Sequence, residues 1–155
     1  MKKSLPFHFL LITGLMVFFA CKKDQFITSR DARLIVSVDT LRFDTVFTST
    51  GSVTQGFKIF NPNDQKIRVD RIRLHGGSPS PFRMNVDGVS STEATNLEIA
   101  ANDSLYVFIA VTIDPDQSTL PFLVRDSIQI SFNNNENNVQ LEAYGQNARF
   151  LRNHV

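Results

Sequence analysis

The chain has 155 residues, with 16 basic and 15 acidic side chains and a net charge of +1. That balance excludes the strong positive field by which nucleic-acid binders gather phosphate. A content of 42% hydrophobic and 20% charged residues excludes a disordered tail. One cysteine excludes a disulfide framework, so a core must hold the fold; fourteen phenylalanines, against two tyrosines and no tryptophan, are its obvious material.

The chain opens with Lys2 and Lys3, followed by an apolar run from about Pro6 to Ala20. A charged start, a short apolar run and a small residue make the layout of a secretory signal. A bilayer-spanning helix needs about 20 apolar residues. This run is shorter and carries His8 and Thr13, so an export signal is expected rather than a permanent span. The run closes on Phe18-Phe19-Ala20-Cys21, which resembles a bacterial lipobox: Ala20 and Cys21 fit, and Phe18 stands where leucine is usual. The resemblance implies a lipid (palmitate-type) on the Cys21 sulfur, cleavage before Cys21 and acylation of the new N-terminus. The alternative is an ordinary signal with a spare thiol. Residues 1–20 are thus read as a lipoprotein signal peptide. The product is expected in the cell envelope, lipid-anchored to the outer membrane. Residues 21–31, from Cys21 through Lys22–Asp31, are polar and without periodicity, and read as a tether between lipid and domain.

Strand signals then run to the end. Leu34–Val38 is a β-branched run, and Leu41 and Phe43 alternate with Phe47 in the same phase. Phe57, Ile59 and Asn61 share a face before the Asn61-Pro62-Asn63-Asp64 turn. In Lys66–Leu74, Ile67 and Val69 share one phase and Ile72 and Leu74 the other, so a β-bulge is expected between Asp70 and Arg71. Gly76–Pro81 is a loop by composition. Phe82, Met84 and Val86 alternate, and Asp87-Gly88 turns the chain. Val89–Asn96 is polar, with Leu97 and Ile99 a short strand after it. Past the Ala101-Asn102-Asp103 turn, Leu105–Ile113 is apolar at every odd position. Tyr106, Phe108 and Ala110 fill the other face, the pattern of a central strand covered on both sides. Phe122 and Val124, then Ile128, Ile130 and Phe132, precede an Asn133–Asn138 loop and a return through Val139, Leu141 and Ala143.

About eight short antiparallel strands, regular turn signals and no helical period predict an all-β sandwich in residues 32–148, with 149–155 a C-terminal tail. Leu41–Phe47, Phe57–Asn61, Phe82–Val86, Asn102-Asp103-Ser104 and Tyr144-Gly145-Gln146 together resemble the immunoglobulin-like domains of the abnormal-spindle/hydin and major-sperm-protein type. The form they resemble most lies near the N-terminus of Bacteroidota lipoproteins, often ahead of a right-handed parallel β-helix. The resemblance spans about Leu34 to Ala148 and rests on strand and turn patterns. It implies an immunoglobulin-like sandwich and assigns no catalytic residue. The chain stops at Val155, where that larger architecture would continue, so the domain either stands alone or belongs to a truncated gene.

Chemistry-bearing candidates are few. His75-Gly76-Gly77 has the composition of a lipase oxyanion loop, but no G-x-S-x-G elbow accompanies it. His8 leaves with the signal and His154 is terminal, so no histidine pair is available for a metal or a general base. Asp114-Pro115-Asp116-Gln117-Ser118 begins like a calcium loop, yet its sixth position is Thr119 and its twelfth Arg125, where glycine and glutamate are needed. Asp126 falls in the inward phase of its strand, so either the strand breaks at Asp126-Ser127 or the carboxylate caps backbone donors; the break is the expected outcome. Lys66, Arg68, Arg71 and Arg73 read as edge protection. No catalytic, cofactor or metal residue is expected. The function expected is that of a non-catalytic spacer or protein-interaction module, with the C-terminal end and adjacent strand edges as its contact surface. The alternative is a surface glycan-binding module using Tyr106 and Tyr144. Surface aromatics lying together would favour that alternative.

Overall fold

A computed structural model describes residues 25–47, 54–113 and 122–146, excepting the side chains of Thr45, Phe47, Phe122 and Gln146. The strands in chain order are β1 Ile35–Val36, β2 Thr40–Phe47, β3 Gln55–Phe60, β4 Ile67–Leu74, β5 Phe82–Val86, β6 Val89–Ser90, β7 Glu93–Ile99, β8 Ser104–Val111, β9 Phe122–Phe132 and β10 Asn135–Gln146. No described residue is helical. Two five-stranded sheets, β1-β3-β8-β5-β6 and β2-β10-β9-β4-β7, form an immunoglobulin-like sandwich. Every pairing is antiparallel except β2 with β10, which run parallel.

The core follows from period-two alternation, because successive strand side chains point to opposite faces. Leu105, Val107, Ile109, Val111 and Ile113 point inward and meet Phe57, Ile59, Phe82, Met84, Ile128, Ile130 and Leu141. Each such side chain, fully buried, gains roughly 1.5–3 kcal/mol from leaving water, set against the ordering entropy of the chain. The tilted Phe43 and Phe82 rings, 5.9 Å apart, link the two sheets.

Turns fix two ends of the sandwich. At one end, the entry end, lie the β3–β4 turn, the β7–β8 turn and the two-residue β9–β10 turn. Asn61, fully buried there, donates to the carbonyls of Gln65, Ile99 and Ala100 at 2.9, 3.1 and 2.8 Å, tying three strands together. At the far end, His75–Pro81 crosses from β4 in one sheet to β5 in the other, and β10 finishes.

Several expectations need correction. The Asn133–Asn138 loop is a loop only at Asn133 and Asn134, whose φ values of 45° and 59° suit a tight hairpin turn. Residues 135–138 are already strand β10. The polar stretch Val89–Asn96 forms β6 and most of β7, and the chain changes sheets between them. The phase slip at Asp70–Arg71 is present but is not an extra residue on β4. Register continues from Val69↔Leu97 to Arg71↔Thr95, and Asn96 at φ 55° lets β7 slip in step. A bulge does occur on β2: Phe43 and Val46 face Ala143 and Gly145, three steps against two. It hands the inward position to Val46. The side chain of Phe47, expected in that phase, lies outside the described residues, as does that of Phe122. The segment read as a tether is laid on the sandwich from Phe26 onward: Phe26 bridges Lys66, and Ile27 N donates to the Lys66 carbonyl at 2.9 Å.

Candidate functional site

Strand β8 lies in the middle of its sheet, between β3 and β5. Its odd positions fill the core, so its even positions must point outward. The sequence pattern suggests a second cover over that face, but none of the described elements supplies it. Tyr106 is 46% and Phe108 43% exposed. Their rings are nearly parallel, at 12°, with centroids 6.2 Å apart.

The neighbouring strand β3 shapes this pair. Lys58 sits directly across from Tyr106, and its Nζ lies 5.4 Å from the ring centroid, within reach of a cation–π attraction. Gly56 sits across from Phe108; a Cβ there would stand 2.9 Å from Phe108 Cδ1. Glycine is what lets that ring lean over the β3 backbone. Asn85 pairs with Phe108 and Arg83 with Ala110 from the β5 side, and Ile35, 53% exposed, pairs with the half-buried Phe60 from β1. The result is an apolar strip edged by an ammonium, a guanidinium and an amide. Its chemistry is that of binding: flat ring surface for apolar contact, with a few polar groups to orient what lies on it.

The other candidates fall elsewhere. Tyr144, 49% exposed, lies on the outer face of the other sheet across from Leu123, so the two tyrosines are not brought together. Phe108 takes the place expected of Tyr144. The sequence carries a signal for it, since Phe108 shares the phase of Tyr106, but an apolar outward face reads as covered.

Asp126 points inward as its phase requires, and β9 runs through it unbroken, opposite Leu141. The expected break is therefore replaced by the capping arrangement. Its Oδ1 accepts from the backbone N–H groups of Gly76 at 2.9 Å and Ser127 at 2.7 Å, and its Oδ2 accepts from the buried Ser80 hydroxyl. Gly76 N–H is thus engaged by a carboxylate, and His75 beside it is exposed, with its N–H donating to the Ser127 carbonyl at 2.9 Å. This cluster pins the far-end crossing.

Of the basic side chains read as edge protection, Arg71 and Arg73 lie where β4 pairs with both β7 and β9 and so are not on an edge; Arg68 lies where β4 pairs with β7 alone, and Lys66, just before β4, is bridged by Phe26. They face glutamates across the strand: Lys66 Nζ is 3.4 Å from Glu98 and Arg73 Nε is 4.0 Å from Glu93. Arg68 lies over the Phe26 ring at 4.5 Å. Among the described residues, no three His, Cys, Asp or Glu side chains gather as metal ligands. Cys21, the signal segment, His8, the Asp114–Ser118 turn, Phe150, Leu151 and His154 lie outside the described residues.

No family model matches the sequence, and no curated protein matches it. Solved structures do match its fold. A protein of unknown function from Porphyromonas gingivalis has a TM-score of 0.53 at 16% identity, over 81% of this chain and 50% of that one. The CupB6 tip adhesin from Pseudomonas aeruginosa has a TM-score of 0.52 at 11% identity, over 81% of this chain and 42% of its own. A family 123 glycoside hydrolase from Clostridium perfringens, described for glycolipid glycan hydrolysis, has a TM-score of 0.50 at 10% identity, over 71% and 23%. The chain therefore spans half or less of these three proteins, and at such identities the likeness is one of fold.

Proposed function

We propose that this chain is an exported lipoprotein, anchored in the cell envelope through Cys21, whose immunoglobulin-like sandwich is a non-catalytic spacer and protein-binding module. The observation that supports it is the parallel Tyr106–Phe108 pair, half-exposed in the middle of a sheet that needs neither ring for its core. Contiguous exposed apolar surface on a folded domain marks a place where something else packs. The reading is tested in cells with a photoreactive phenylalanine analogue at position 106 or 108. Light-dependent adducts with an envelope protein are expected at these positions and not at Tyr144. Their absence at both positions would overturn the assignment of this face.

A second reading, capture of a glycan on the same face, is the one that aromatics lying together on the surface favour, and it draws on the same two rings. Parallel aromatic faces with polar groups at their edges suit the apolar faces and rim hydroxyls of sugar rings. With no tryptophan in the chain, a Tyr144→Phe variant leaves Tyr106 as the sole strong emitter. Saturable change of its emission on adding an envelope oligosaccharide, abolished by Phe108→Ala, is the outcome this reading requires.

A further inference from the structure

We propose that the asparagine row of β10 fastens the entering chain so that the entry end of the sandwich, and not the far end, is held at the lipid headgroups. The proposal rests on the reading of Cys21 as the lipid-bearing residue.

Asn133, Asn135 and Asn137 continue the inward phase of Val139, Leu141 and Ala143, but past the apolar core. Instead of meeting the other sheet, they meet the chain between Phe26 and Leu34. Asn133 Nδ2 donates to the carbonyls of Ile27 at 2.9 Å and Ser29 at 3.1 Å. Asn135 Nδ2 donates to Arg30 at 2.9 Å and Ala32 at 3.5 Å, and Asn137 Nδ2 to Leu34 at 3.2 Å. From the β3–β4 turn, Asn63 Nδ2 takes the Arg33 carbonyl at 2.8 Å. Buried Ala32 and Leu34 and the Phe26 ring, with Lys66 Nζ 5.5 Å from its centroid, complete the attachment. Beyond its bridge at Phe26, the segment is held by side-chain amides along its length.

Chain lengths give this clamp its consequence. With Phe26 fixed, only five Cα steps separate it from Cys21, a reach of at most about 18 Å. Were the chain free up to Leu34, thirteen steps would reach about 45 Å. The twelve residues of β10 extend on the order of 40 Å from the entry end to the far end. A free tether would therefore let either end of the sandwich approach the lipid, whereas the clamped one admits only the entry end. Of the charges near the anchor, Lys22 and Lys23 follow it directly, while Asp24 and Asp31 offset Arg30 and Arg33 on the segment that comes after. Basic groups beside a lipid anchor are drawn to anionic headgroups.

The two tyrosines make the orientation measurable. Tyr106 is two residues into β8 from the entry end, while Tyr144 lies nine residues along β10 toward the far end, roughly 30 Å away. The mature lipidated protein is reconstituted in vesicles containing headgroup-nitroxide lipid, as Tyr106→Phe and Tyr144→Phe variants that each keep one emitter. The remaining Tyr106 should be quenched several-fold more than the remaining Tyr144. Adding Asn135→Ala with Asn137→Ala should bring the two toward equality. Asn137→Ala alone, which gives up one amide bond, should narrow the gap and keeps the test readable should the double variant unfold. Equal quenching with the asparagines intact, or a gap that survives their removal, would overturn the proposal while leaving the anchor in place. An unmodified Cys21 by mass spectrometry would overturn both.

Discussion

Replacing Asp126 with alanine is expected to loosen the far-end crossing, and its cost can be worked from three contacts. The carboxylate accepts from Gly76 N–H, Ser127 N–H and the Ser80 hydroxyl. Hydrogen bonds to a charged group are worth about 1.5–3 kcal/mol each when water is excluded. Gly76 is exposed and can turn to water, so its loss counts for little. Ser80 is 5% exposed and has nowhere to turn; a stranded buried donor costs about 1–3 kcal/mol. With Ser127 between these cases, the total is about 2–4 kcal/mol. At an ordinary urea slope of about 2 kcal/mol/M, the unfolding midpoint should fall by roughly 1–2 M. Gly76→Ala gives an internal control, because its Cβ would stand 2.5 Å from Asp126 Oδ2. That substitution should be costly in the native background and much cheaper once Asp126 is alanine, with a residual cost from the Ser80 Cβ at 3.2 Å, a coupling that a double-mutant cycle reads directly. An unchanged midpoint for Asp126→Ala, or additive costs in the cycle, would refute the reasoning.

Three further outcomes are expected. Phe57→Ala or Ile109→Ala, both inside the core, should each cost roughly 2–5 kcal/mol by lost burial plus a cavity, read as a lower thermal or urea midpoint. Gly56→Ala should shift the Phe108 ring, which lies 2.9 Å from the new Cβ position, and lower the light-dependent adduct yield on that face, with the Val107 carbonyl at 3.3 Å adding a modest drop in the unfolding midpoint. Glu136, its carboxylate held below the usual 4.5 by hydrogen bonds from Asn138 first and Gln129 second, should titrate by NMR below that value and move back up in Asn138→Ala. Because the folded-state value is the depressed one, any stabilisation it lends is present above pH 4.5 and lost as pH falls through the folded value.

Alternation along the sequence makes most of the architecture legible. The inward residues of β3, β5 and β8 read in phase, and so do Ile128, Ile130 and Phe132. What alternation cannot give is what lies outside a strand. Tyr106 and Phe108 carry the same apolar signal whether a second layer covers them or solvent does. Lys66 to Arg73 carry the same basic signal on an edge strand as on an interior one, and pairing with Glu93 and Glu98 is a matter of neighbour rather than sequence spacing. The phase slip at Asp70–Arg71 is visible, but the compensating left-handed Asn96 lies a whole strand away.

Polar residues in the inward phase turn out to be the more informative exceptions. A carboxylate or amide facing a core is costly unless it is bonded, which invites the conclusion that the strand must break there. The alternative is that the inward face has run past the apolar core and meets backbone instead. Asp126 meets the Gly76–Ser80 crossing, Asn61 meets the ends of β4 and β7, and Asn133, Asn135 and Asn137 meet the entering chain. At the Gly76–Ser80 crossing and along the entering chain the partner is a segment with few strand neighbours, and the inward polar side chain supplies bonds that a strand would otherwise supply. Sidedness then distinguishes the groups: the carboxylate takes N–H donors from a turn, while the amides give N–H to the carbonyls of an extended strap. A sequence reader can use that distinction. An inward Asp predicts a crossing pinned by turn N–H groups, which can lie far off in the sequence as Gly76 does from Asp126, and inward Asn residues spaced by two at a strand's start predict a segment laid alongside them.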